Sequence, residues 1–178
     1  KIPDPVEWMI CIGSSIHYPR DMSTPLPARC SYNCWGWVLN KITGKFVNDN
    51  PLGYDRPNCT MDNLTTWTIQ ELEHLGAKGQ ALGELDDNAL NSVTSTLLPN
   101  QYLVAMRADG NGAYHYMRYD NDSWTFKQYE GGMLCELVGI TPNDDLAWSC
   151  YIANPFNGEV YWSTNNGTQV PVRYLPYK

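Results

Sequence analysis

The stretch that most constrains this chain is residues 30–44, Cys-Ser-Tyr-Asn-Cys-Trp-Gly-Trp-Val-Leu-Asn-Lys-Ile-Thr-Gly. From Trp35 onward the apolar residues fall at Trp35, Val38, Leu39 and Ile42, which is one face of a helix. Asn33 is placed to cap the start, and Gly44 stands where a left-handed residue would end it. Cys34 is then expected in the first turn, where free N–H groups and the helix dipole favour a thiolate. A thiolate so placed has the chemistry of a nucleophile once a base is supplied.

At 178 residues the chain is long enough to bury a real core and is read as one domain. The expected organisation is an extended proline-rich arm over 1–29, a core over 30–140 and a C-terminal β segment over 141–178. A net charge of −7 argues against nucleic acid and anionic membranes as partners. No run approaches the length of a membrane span, and no signal-peptide core is present. The first residue is Lys1 rather than Met, so a leader is expected to have been removed or left out. Asn58, Asn63, Asn121 and Asn166 each open an Asn-x-Ser/Thr sequon, and six cysteines accompany only 12 Lys plus Arg. Together these point to a secreted glycoprotein with disulfide bonds. No Cys-x-x-Cys pair occurs and the three histidines are scattered, so neither a metal nor another cofactor is expected.

Along the chain, a short strand is expected near Met9–Ile12 and a loop over 45–61. A second helix is predicted over about 66–75, with Thr68 and Glu71 as a capping box and Gly76 closing it. A third is predicted over 84–97, stopped by Pro99. The pattern then changes to strands: 101–107, a Gly-rich turn, 113–119, a turn at 120–123, and 124–129. Further β segments are predicted at 146–153 and 158–174, the latter a hairpin around Asn165-Asn-Gly167.

His115, at the start of the second of these strands, is the expected base, held rigidly enough to meet a sulfur on a separate helix. If the following turn centres between Asn121 and Asp122, residue 128 lies across from residue 115 on the same sheet face. Gln128 could then accept from the imidazole N–H and orient it, with Lys127 or Tyr129 taking its place if the turn shifts.

Asn33-Cys34-Trp35-Gly36 before a helix, with a later His on a strand, resembles the papain-like cysteine peptidase and amidase superfamily. Cys30-Ser-Tyr-Asn-Cys34-Trp35 is similar to the papain signature, in which a disulfide cysteine shortly precedes a Cys-Trp nucleophile pair. The nearer likeness is to uncharacterised bacterial papain-like domains with an Asn-Cys-x-Gly element and a later Tyr-His-aromatic-x-Arg-x-Asp…Trp-Ser-x-Lys element. Tyr114-His115-Tyr-Met-Arg118-Tyr-Asp120 and Trp124-Thr-Phe-Lys127 stand in those places, and the resemblance spans roughly residues 30–130. There are departures: Phe126 stands where those domains often carry histidine, and Pro25–Arg29 lacks the glutamine that serves papain as an oxyanion donor. The Cys34 N–H, helped by Asn33 or Ser31, would have to replace that donor, with Trp35 beside the site.

The resemblance implies an α+β, papain-like fold in which N-terminal helices pack on a C-terminal antiparallel sheet. With the secreted reading above, it implies a monomeric thiol hydrolase acting on an amide bond, peptide or cell-wall, of a peptide, glycopeptide or protein substrate. Cys34 would attack the carbonyl, His115 would shuttle the proton and Gln128 would hold the imidazole. Cysteine parity keeps a second reading open. Cys30 with Cys59 and Cys135 with Cys150 make sensible bridges, and if all six cysteines pair no thiol remains. The chain is then a catalytically inactive, disulfide-stabilised binding module for a glycan or a host protein, in the manner of an effector or toxin.

Overall fold

The computed structural model describes residues 7–12, 32–39, 50, 51, 53–128, 134–149, 160–165 and 168–175. Ile42 and Gly44, the sequon at Asn166, and the side chains of Cys11, Cys30 and Cys150 lie outside the described residues. The chain is α+β. Among the described residues, eight strands form one sheet: β1 (Glu7–Ile12), β2 (Lys78–Gly83), β3 (Gln101–Ala108), β4 (Tyr114–Asp120), β5 (Ser123–Lys127), β6 (Leu134–Leu137), β7 (Val160–Asn165) and β8 (Thr168–Tyr174). Their spatial order is β2-β1-β3-β4-β5-β6-β8-β7, and every neighbouring pair is antiparallel.

Helices cover both faces. On one face lie α1 (Cys34–Val38) and α2 (Met61–His74), packed with Tyr102, Val104, Met106 and Tyr116 of β3 and β4. On the other lie α3 (Asp87–Thr96) and a 3-10 turn at Asp145–Ser149, packed with Leu103, Ala105, Met117 and Phe126. Alternation along each strand divides the residues between the two cores. The helices therefore do not share one face, and the sheet is not confined to the C-terminal half. β1 hydrogen-bonds β2 on one side and β3 on the other. Residues 7–12 are thus an internal strand and not part of an arm laid over the domain.

Local chemistry explains where elements begin. Thr60 caps α2, its Oγ1 accepting from the Asn63 N–H at 3.2 Å, so the helix starts five residues before the expected position. Thr68 and Glu71, read from the sequence as a capping box, are buried within the helix. The Thr68 hydroxyl bonds the Leu64 carbonyl at 2.7 Å and the Tyr116 hydroxyl at 2.8 Å. Asp86 caps α3 through the Ala89 N–H at 2.7 Å. Strand β2 is absent from the sequence reading because Lys-Gly-Gln-Ala-Leu-Gly carries almost no apolar alternation, and it pairs only through its backbone with β1. The strand expected over 146–153 begins instead as the 3-10 turn. Asp144 starts it, with its Oδ1 accepting from the Leu146 N–H at 2.9 Å and its carbonyl from Ala147 at 3.0 Å.

Three buried side chains of the β4–β5 hairpin tie α1 to the sheet. Lys127 Nζ donates to the Tyr32 carbonyl at 3.0 Å, just before the helix. Trp37 Nε1 donates to Thr125 Oγ1 at 3.0 Å. Arg118 Nη1 reaches the Val38 carbonyl at 3.5 Å, where the helix ends, while its Nε binds Asp120 Oδ2 at 2.7 Å. Arg118 also lies 3.9 Å over the Tyr102 ring. Breaking a buried ion pair on one side costs far more than removing one neutral hydrogen bond. Arg118→Ala is expected to lose about 3–5 kcal/mol in urea unfolding, against about 1 kcal/mol for Thr125→Val, which removes the indole's acceptor.

Candidate functional site

Asn33 caps α1 as its side chain predicts: Oδ1 accepts from the Gly36 N–H at 2.9 Å. Cys34 is the first residue of the helix and is a free thiol, as is Cys59. Neither is bridged in this structure, which therefore shows neither the pairing of all six cysteines nor the Cys30–Cys59 bridge. Cys34 does not, however, face solvent. It is 6% exposed, and burial pushes its pKa up to about 11, against backbone hydrogen bonding at Tyr116 and the nearby charge of Lys127. Desolvation outweighs the helix start and the cation together. A five-residue helix supplies only a short dipole, and here the thiol stays protonated at neutral pH.

The expected base lies on the opposite side of the sheet. Tyr116 is one of the β4 residues that face α1, its ring 5.2 Å from that of Trp35. One position earlier, His115 points into the other core, edge-on to Phe126 at 5.6 Å and to Trp148 at 5.9 Å. A period of two residues puts the whole sheet thickness between the imidazole and the Cys34 sulfur. Burial also lowers the His115 pKa to about 4, so the ring is neutral at physiological pH. Its cross-strand neighbour is Arg107, a buried guanidinium that binds Asp145 Oδ1 at 3.1 Å and lies 5.0 Å from the Trp148 ring.

The pairs Arg118↔Thr125, Tyr119↔Trp124 and Asp120↔Ser123 centre the turn between Asn121 and Asp122, as expected. The paired ladder stops at Arg118 and Thr125, however, and Gln128 follows the last residue of β5. Among the described residues no strand pair joins it to His115. Asn33 spends its amide oxygen on the helix cap, and Trp35 is fully buried against Tyr116. The structure thus brings Asn33, Cys34 and Trp35 together and separates them from His115. The tie residues Lys127, Thr125 and Arg118 had one legible signal: they alternate with Phe126 and Met117, so the two sets had to face opposite cores.

Among the described residues, clefts open to solvent lie at both ends of α3. One, of about 480 Å³, lies between α3 and the 139–144 loop. Another, of about 350 Å³, lies between the end of α3 and the β4–β5 turn. Neither is lined by Cys34 or His115. Among the described residues, no group of three or more His, Cys, Asp and Glu is placed to hold a metal, and no helix is long and apolar enough to cross a membrane.

A half-buried neutral histidine makes stability depend on pH with a definite sign. The folded pKa, about 4, lies below the unfolded value of about 6.5. The unfolded chain therefore binds the proton first, and stability falls as pH drops from about 6.5 to about 4. His115→Phe is expected to remove up to about 3 kcal/mol of that loss, read as the difference between the two proteins' urea midpoints across this range.

Compared with protein-family models, with curated proteins and with solved structures, the chain matches none.

Proposed function

We propose that this chain is a catalytically inactive, secreted binding module on a papain-like framework. The observation that carries the reading is the placement of Cys34 and His115 in the cores on opposite faces of one sheet. Nucleophilic catalysis by a thiol needs a base within hydrogen-bond reach, about 2.6–3.2 Å. A single strand cannot turn one side chain through the sheet without moving every alternate residue with it. The papain-like part of the reading is supported by a capped helix that begins at a cysteine and packs on an antiparallel sheet. Secretion is supported by the exposure of the sequon asparagine Asn58. The charge of −7 favours a neutral or cationic partner over nucleic acid or anionic membrane.

The competing thiol-hydrolase reading is tested by alkylating the native protein with iodoacetamide at about pH 6, where only a strongly acidified thiol reacts quickly. We expect no modification of Cys34 in the folded chain and full modification after unfolding without reductant, with the same result in His115→Ala. Rapid alkylation of native Cys34 that disappears in His115→Ala would restore the Cys–His pair and overturn the proposal.

A further inference from the structure

The cleft of about 350 Å³ between the end of α3 and the β4–β5 turn falls within the size range of small-molecule sites, ~300–1,000 Å³. Its floor is the Tyr119 ring, held from below by Trp124 with ring centroids 5.2 Å apart. The Tyr119 hydroxyl is tied to the Thr94 side chain, which fixes the ring's tilt. Leu98 and Pro99 form an apolar wall, and Leu98 is one of the exposed large hydrophobic residues, at 57%. The remaining rim is polar: Gln101, Asn121 and Asp122. Gln101 Oε1 accepts from the Leu98 N–H at 3.0 Å, which orients the amide and leaves its NH2 without a partner among the described residues.

The charges narrow the ligand. Asp120 also lines the cleft, but it is buried against Arg118, so its charge is already matched. Asp122 is exposed and is near enough to Tyr119 to reinforce, after burial, the upward shift of the phenol. One solvated carboxylate does not repay the desolvation of an ammonium, and it repels an anion. An aromatic floor, an aliphatic wall and planar amide and carboxylate groups instead suit a ring with an apolar C–H face and hydroxyls at its edge.

The turn adds a second indication. Asn121 and Asp122 have φ of 50° and 60°, the left-handed pair of a two-residue hairpin turn. Glycine is the favoured second residue of such a turn, and an aspartate there is tolerated at a small conformational cost. Asp122 therefore keeps a carboxylate at the cleft rim at a local conformational cost.

Taking the binding-module reading as its basis, we propose that this cleft is a saccharide-binding site for a neutral pyranoside. The sugar's C–H face lies on Tyr119 and Leu98, and its hydroxyls bond Asp122, Asn121 and Gln101.

The test is an NMR titration of the 15N-labelled chain with cellotriose and with triacetylchitotriose, each to about 10 mM, a range suited to weak sugar binding. Saturable amide shifts are expected with at least one of them, confined to residues 94–101 and 119–122. Asp122→Gly relieves the backbone and keeps the fold, and it is expected to weaken binding about tenfold or more; Tyr119→Ala is expected to abolish it. No shift with either sugar, or unchanged affinity in Asp122→Gly, overturns the site. Shifts elsewhere on the surface overturn this cleft but leave the binding-module reading standing. Rapid alkylation of native Cys34 overturns that reading and leaves the cleft's sugar binding to be judged by the titration alone.

Discussion

The position of α1 depends on three polar side chains buried in the β4–β5 hairpin. Lys127 and Arg118, both fully buried, grip backbone carbonyls at the two ends of α1, and Thr125 accepts from the tryptophan between them. A five-residue helix is too short to be stable by itself, since nucleation costs more than its few internal hydrogen bonds return. It persists because its orphan groups have fixed partners and because Trp35, Trp37 and Val38 are sealed in the core. Burying two cations is tolerable only when they are well satisfied. Arg118 has Asp120 and the Tyr102 ring, and Lys127 lies 4.8 Å from the Tyr32 ring.

That clamp also explains why the features expected of a thiol enzyme are present and yet apart. The hairpin holds α1 with the residues that alternate with His115, so whatever faces the helix from β4 is Tyr116 and its i±2 neighbours. The same contacts that bring Cys34 onto the sheet seal it from water, which keeps its thiol protonated. His115 meanwhile joins Phe126 and Trp148 in the second core, where an uncharged ring is the only form that burial favours. Both groups are placed by packing, and packing on a two-sided sheet assigns neighbours in sequence to different cores.

The cleft beside Tyr119 joins the end of α3, the start of β3 and the β4–β5 turn. Such corners keep side chains fixed by their elements while leaving one side exposed. Asp122, in a backbone conformation that suits glycine better, is the residue there whose presence packing does not explain.

Much of the framework was legible before any coordinates. Asn33 as a helix cap, the strands over 101–127 and the turn centred between Asn121 and Asp122 follow from short-range rules that act within a few residues. The start of α2 was misplaced because Thr68 and Glu71 also satisfy a capping pattern, and only their burial, with Thr68 bonded to Tyr116, reveals them as interior. β2 could not be seen, since an edge strand with a polar sequence is specified by the backbone of its partner. The sequence determined that a cysteine would start a capped helix and that a histidine would sit on a strand, because capping and strand propensity are local. Which sheet face the helix would cover was decided only in three dimensions. That choice depends on where Arg118, Thr125 and Lys127 find their partners up to 95 residues away, and no local pattern encodes such a distance.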